Sequence, residues 1–133
     1  MKTLRAILKI FVFLLVLGTV ENYFVQEPTA APIPGIIGYA SFYSYECANK
    51  PMANGKIFDP EKRTCASWFY KFGTVLRVKS LDTGRQTEVV VTDRGPNKRL
   101  VKKGRLIDLS KKAFQDICSL EKGLTRVVIT VKN

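Results

Sequence analysis

The chain has 133 residues, with 22 Lys and Arg against 11 Asp and Glu, a formal net charge of +11 and no histidine. The missing imidazole excludes a Ser-His-Asp triad, a Cys-His dyad and a His-built zinc site, so no metal and no cofactor are expected. The excess of positive charge calls for an acidic partner, and the length allows one domain of about 100 residues once a leader is set aside.

Residues 1–22 carry Lys2, Arg5 and Lys9 ahead of an apolar run from Ile10 to Val20, too short for a comfortable membrane span. The pattern reads as a signal peptide or, since no small-x-small cleavage site follows, as an N-terminal membrane anchor. Either way it directs the chain to the periplasm, the cell envelope or the medium, and it argues against nucleic acid as the acidic partner. Contact with a membrane is expected only through an uncleaved leader. Residues 23–35, with Pro28, Pro32 and Pro34, read as a linker, and residues 36–133 as the folded domain, expected to act as a monomer.

Within that domain Ile36 to Tyr43 is apolar and aromatic, as a first strand should be. Met52 to Asp59 holds an Asn54-Gly55 turn between short extended pieces. Thr74 to Ser80 alternates, Leu81 to Arg85 reads as a hairpin connection, and Thr87 to Thr92 returns as a strand with Val89 and Val91 on one face. A long basic loop carrying Lys98, Arg99, Lys102, Lys103 and Arg105 leads to a very short strand at Leu106 and Ile107. Ser110 can cap a helix running to about Leu120, with Ala113, Phe114, Ile117 and Cys118 inward, and Gly123 ends it. Arg126 to Lys132 closes the chain as a strand. Many short strands and a single short helix predict a mainly β fold, a small closed barrel.

In an oxidising compartment one disulfide is plausible among three possible pairings of Cys47, Cys65 and Cys118. Cys47–Cys65 is preferred because both lie in the irregular first half, whereas Cys118 sits on the apolar side of the predicted helix.

Several motifs occur together and in order: Gly38-Tyr39-Ala40-Ser41-Phe42-Tyr43, Met52-Ala53-Asn54-Gly55, Thr64-Cys65-Ala66-Ser67, Phe72-Gly73-Thr74 and Asp82-Thr83-Gly84-Arg85. Thr92-Asp93-Arg94-Gly95-Pro96 and Gly104-Arg105-Leu106-Ile107-Asp108-Leu109-Ser110 complete the set. From Gly38 to Val131 the chain resembles the rare-lipoprotein-A (RlpA-like) family, whose fold is a six-stranded double-psi β-barrel related to barwin and expansin domains. The resemblance implies an envelope protein that binds peptidoglycan glycan strands, and for some members a lytic transglycosylase that leaves a 1,6-anhydro end.

A conventional glycosidase needs two carboxyl groups. A transglycosylase uses the sugar's own hydroxyl as nucleophile, so one residue can protonate the glycosidic oxygen and later accept the hydroxyl proton. The resemblance places that residue at Asp93, with Asp108 as a neighbouring carboxylate. As structural roles, Asp93 would accept the backbone N–H groups of Arg94 and Gly95 in a turn, and Asp108 would be stabilised by the N-terminus of the helix that follows it. Members of the family believed catalytic carry an acid after the Asn-Gly turn and a histidine further on, where this chain has Lys56 and Ser67. Ser67 and Tyr70 can still hydrogen-bond a sugar. Tyr39, Phe42, Tyr43, Tyr45, Trp68, Phe69 and Tyr70 are enough rings to line a sugar cleft, about half of them expected in the core. Tyr43, Asn54, Trp68, Tyr70, Arg94, Lys98 and Arg105 are the expected substrate contacts, and Asp93, Asp108 and Ser67 the candidate catalytic groups. Two other readings stay open: a non-catalytic expansin-like module that binds the wall, and a secreted inhibitor or effector that turns its basic loop on an acidic protein.

Overall fold

In the computed structural model residues 34–133 are described, so the leader and nearly all of the linker lie outside the described residues. The strands are β1 (Ile36–Phe42), β2 (Thr64–Ala66), β3 (Val75–Ser80), β4 (Gln86–Asp93), β5 (Arg105–Leu109) and β6 (Thr125–Val131). Two helices, α1 (Lys98–Val101) and α2 (Lys111–Ile117), flank β5, and 3-10 turns occur at Tyr45–Cys47 and Leu120–Lys122. Alternation sets the strand faces: Leu76, Val78 and Ser80 of β3 are buried while Arg77 and Lys79 are exposed, and Thr125, Val127 and Ile129 of β6 point inward. Phe114 and Ile117 of α2 are wholly buried and close the core from one side, Phe114 packing tilted against Phe42 with ring centres 4.9 Å apart.

The strands close on themselves in the order β1-β5-β2-β4-β3-β6. Pairs β1/β5 and β2/β4 are parallel, and the other four contacts are antiparallel. Closure leaves no open sheet edge among the described strands. A register shift between Cys65 and Ala66 seats Ala66 opposite Asp93 on one neighbouring strand and opposite Asp108 on the other. One small residue of β2 therefore separates the two carboxylates. At Gly38 a Cβ would collide with the Leu106 side chain and the Gly104 carbonyl, so only glycine lets β1 approach that turn.

Several elements depart from the sequence reading. β2 is a strand only three residues long, too short to show alternation. The basic segment expected as a loop contains α1, making two helices rather than one; Asn97 caps α1 by accepting from the Arg99 N–H, and Leu100 and Val101 turn partly inward. The extended pieces around Asn54-Gly55 reduce to one bridge between Pro51 and Ile57. Helix α2 is capped by the Ser110 hydroxyl but stops at Ile117, because Cys118 is already extended; Gly123, at φ +67°, ends the following 3-10 turn instead.

The Cys47–Cys65 disulfide is not formed, and all three cysteines carry free thiols. Cys65 is enclosed in the barrel core, whereas Cys47 stands half-exposed in the first 3-10 turn. Burial pushes the Cys65 thiol far above its ordinary range. Cys118 is buried as a small core residue.

Candidate functional site

Asp93 ends β4, where the strand runs into the Arg94-Gly95-Pro96 turn. Three chain segments converge on its carboxylate. Oδ2 accepts a 2.9 Å hydrogen bond from the Tyr43 hydroxyl, and Oδ1 accepts from the backbone N–H groups of Ala53 (2.9 Å) and Arg94 (2.8 Å). The Ala53 N–H takes the place that the sequence assigned to Gly95. Ala53 is delivered by the Asn-Gly turn, in which Asn54 donates its own N–H to the Thr92 carbonyl and accepts from the Lys56 N–H through its side chain. Asn54 thus serves the turn, and Lys56 projects from it into solvent.

Asp108 lies on β5, two residues before the α2 cap, and does not meet the helix N-terminus. Its Oδ1 instead accepts from Nε and Nη2 of Arg105 at 2.9 and 2.7 Å, an i,i+3 pair in which both side chains are largely shielded. Burial raises the Asp108 pKa above the usual carboxylate value, against the opposing pull of Arg105, and the Asp93 charge adds to the rise. Tyr43, with its ring against Phe58, is driven well above the ordinary phenol range by burial first and by Asp93 second. It therefore stays protonated and acts as a donor.

Arg94 points away from the carboxylates. Its Nη1 donates to the carbonyls of Ser67 (2.7 Å) and Tyr70 (2.8 Å), and its guanidinium lies 3.9 Å from the centre of the Phe72 ring. Both contacts tie down the 67–72 loop. Ser67 is only 1% exposed; its N–H donates to the Asp93 carbonyl and its hydroxyl accepts from the Phe69 N–H, so the hydroxyl serves the loop and not an open cleft. Trp68 donates its indole N–H to the Pro96 carbonyl at 2.7 Å, which fixes the ring beside the turn that follows Asp93, and Lys98 Nζ stands 5.3 Å from the ring centre. Trp68 and Phe69 are 44% and 51% exposed, and Tyr70 is half-buried against the core. Of the seven rings expected to be divided between core and cleft, none is fully buried: Phe42, Tyr43 and Tyr70 are half-buried and the other four exposed.

The structure thus brings Tyr43, Asp93, Asp108 and Arg105 together, with Trp68 and Lys98 on the adjoining rim. Asn54, Ser67, Tyr70 and Arg94 act within the loops that shape it. Three contributors escaped the sequence reading: the Ala53 N–H, the spacer Ala66, and Phe72 under Arg94. All three lie inside the motifs that carry the family resemblance, but nothing in the sequence assigned them these roles. A polar depression lined by Arg63, Gln86, Thr87, Glu88 and Asp116 lies at the opposite end of β4, about 20 Å along the strand from Asp93. Its charges are answered internally by the 2.6 Å Arg63–Asp116 pair.

A closed six-stranded barrel with two parallel pairs, bearing its polar site where β4 and β5 flank β2, is a double-psi β-barrel of the expansin and barwin type. Residues 36–129 match the model of the family described as lytic transglycolase, and the chain belongs to that RlpA-like family. It is 39% identical over 92 residues to the "Probable endolytic peptidoglycan transglycosylase RlpA" of Treponema pallidum, covering 69% of this chain and 28% of that protein. Against the endolytic peptidoglycan transglycosylase RlpA of Campylobacter jejuni it is 31% identical over 119 residues, covering 86% and 42%. The chain therefore spans well under half the length of these relatives. Among solved structures it resembles a Streptomyces papain inhibitor (TM-score 0.60, 21% identity, 78% of this chain and all of that one). It also resembles a Clavibacter michiganensis expansin solved with cellohexaose (TM-score 0.57, 19% identity, 74% and 50%).

Proposed function

We propose that this protein is exported to the cell envelope, binds peptidoglycan glycan strands at the Asp93 site, and cleaves them without water. The observation that carries the reading is the Asp93 carboxylate, held by donors from three separate segments beside the shielded Asp108. The relatives named as peptidoglycan transglycosylases support the substrate class. In the reaction the acid form of Asp93 gives its proton to the glycosidic oxygen as the C1–O bond breaks. The sugar's own 6-hydroxyl closes on C1, and its proton returns to the carboxylate. Tyr43 holds Oδ2, and its hydroxyl can rotate to release that oxygen to the substrate. Trp68 offers an exposed ring face on which a pyranose can stack, as one bound sugar unit would require.

Digestion of purified sacculi, read by mass spectrometry for 1,6-anhydro muropeptides, tests the reading with Asp93→Asn as control. Anhydro products that vanish in the variant are expected. Their absence from the wild-type digest, with binding to sacculi retained, would leave a wall-binding module. The specific observations favouring that second reading are Lys56, a cation on the turn that contacts Asp93, and Ser67, whose hydroxyl is withdrawn from the site.

A further inference from the structure

Three neighbouring strands, β3, β6 and β1, turn apolar and cationic side chains to solvent together. On β1, Ile37 is 55% and Tyr39 41% exposed, and the register sets them beside Val128 and Arg126 of β6. Val128 in turn faces Lys79 of β3, and Leu81, 45% exposed, donates its N–H to the Arg126 carbonyl at 2.7 Å. These side chains stand on the outer face of the sheet, since their alternates Ala40, Val78, Val127 and Ile129 fill the core. With strands about 4.8 Å apart, the patch is about 10 Å across. Apolar side chains scattered singly need no partner, whereas a contiguous patch rimmed by charge marks a contact surface.

Lys79 and Arg126 are exposed, and among the described residues neither has a carboxylate within ion-pair distance. Asp82 accepts from the Arg126 backbone N–H, but the same oxygen is already engaged by Lys122 and the Thr125 hydroxyl. On the neighbouring surface Arg77 and Lys132 do find a partner, in Glu88. Exposed aliphatic tips, a tyrosine and free cations on long stems are what a surface resting in an anionic headgroup layer requires. The tips enter the acyl boundary, the tyrosine sits at the interface, and the cations meet lipid phosphates. The place of this face in the fold agrees in two ways. Residues 1–22, read as a leader or anchor, connect through the linker to Ile36, where β1 begins. The middle strand of the face, β6, is three places round the six-strand ring from β2, the strand that separates Asp93 from Asp108. A barrel resting on β3, β6 and β1 therefore turns its carboxylates away from the bilayer.

We infer that the β3-β6-β1 face is a docking surface for a bilayer that carries anionic headgroups. It adds a contact of the barrel itself to the membrane contact expected of the leader. It does not rest on the glycan reading, because none of its side chains bonds to Asp93 or Asp108. The test uses residues 32–133, a compact unit in its own right whose sheet closes on itself, since the apolar run from Ile10 to Val20 would enter a bilayer alone. Vesicles of phosphatidylcholine, with and without about one third phosphatidylglycerol, are compared by cosedimentation at about 100 mM salt. Orientation is read by fluorescence with lipids brominated in their acyl chains, which quench a ring that enters the bilayer. The chain's single tryptophan, Trp68, lies beside the Asp93 site, and Trp68→Phe combined with Tyr39→Trp moves the probe to the docking face.

The unit is expected to bind the anionic vesicles at least about tenfold more tightly than the neutral ones. Lys79→Gln with Arg126→Gln should weaken anionic binding about tenfold or more, and Ile37→Thr with Leu81→Gln about as much, each with a melting curve to verify folding. Lys50→Gln with Lys62→Gln removes the same charge from exposed positions between β1 and β2 and should stay within about twofold of wild type. Brominated lipid should quench the relocated tryptophan and leave Trp68 bright. Equal losses from the two charge pairs overturn the inference, because the attraction would then belong to net charge alone. Quenching of Trp68 ahead of the relocated probe overturns it too, since the rim of the Asp93 site would then be the lipid face. So does a unit that ignores vesicles but self-associates, with the association abolished by Ile37→Thr and Leu81→Gln, because a second copy would then cover the patch. Sacculus digestion makes no use of this face, so its outcome is read separately.

Discussion

Arg94 directly follows the candidate catalytic carboxylate, yet its side chain braces the aromatic loop, and this can be tested by Arg94→Met, which keeps the aliphatic stem and removes the guanidinium. Two charge-assisted hydrogen bonds disappear, to the carbonyls of Ser67 and Tyr70, together with the stacking on Phe72. Bonds of this class contribute about 1.5–3 kcal/mol each, and an exposed cation–π contact about 0.5–1 kcal/mol. Both bonds come from one nitrogen and so do not add in full, which halves the sum. The expected loss is about 2–3 kcal/mol in urea unfolding, a fall of about 10–20 °C in melting temperature for a domain of this size. Sacculus binding should weaken about tenfold through Trp68 and Phe69, which ride on the same loop. Arg94→Lys, which can satisfy one carbonyl, should lose about half as much stability. A Met variant within about 0.5 kcal/mol of wild type refutes the bracing role. So does a Lys variant that binds normally while the Met variant fails at unchanged stability, since that pattern belongs to a cation touching the ligand.

Tyr43→Phe deletes the hydroxyl that donates to Asp93 Oδ2; about 1 kcal/mol of stability and about tenfold in anhydro-product formation should be lost, measured by unfolding and by timed sacculus digestion. Two carboxylates should show opposite pH dependence in paired melting curves. Asp82 is held at about 2 by hydrogen bonds from Thr125, Lys122 and the Arg126 N–H, so its advantage over Asp82→Asn is full above the unfolded value of 3.8 and disappears as pH falls toward 2. Asp108 is raised by burial, so the wild type compares best with Asp108→Asn below the unfolded value and loses ground as pH rises through the folded one. A maleimide should label one thiol per native chain, at Cys47, and three after denaturation; no native labelling would argue for a Cys47 disulfide.

The barrel was largely legible in the sequence because β3, β4 and β6 each carry four or more residues of clean alternation. β2 was not, since Thr64-Cys65-Ala66 covers less than two alternation cycles and only its neighbours make it a strand. Asp108 was read as a helix-capping carboxylate because Ser110 follows so closely. The hydroxyl does that work, and strand geometry turns the carboxylate back to Arg105. Six consecutive positions with four cations look like a solvated loop; the clue to α1 was the inward pair Leu100 and Val101, set between two exposed pairs. Contacts that depend on chain crossing, such as the Ala53 N–H on Asp93, leave no local trace.

The convergence on Asp93 has a consequence for how the protein comes to act. Two of its three donors lie 50 and 40 residues away along the chain, and its strand is joined to β2 in one of the barrel's two parallel pairs, which require long connections. Contacts of such sequence separation form late and cooperatively, so no fragment or half-folded species contains a working site. Under the proposed export and glycan cleavage, a chain threaded unfolded across a membrane would stay inert during passage and become competent only when the last strand closes the barrel.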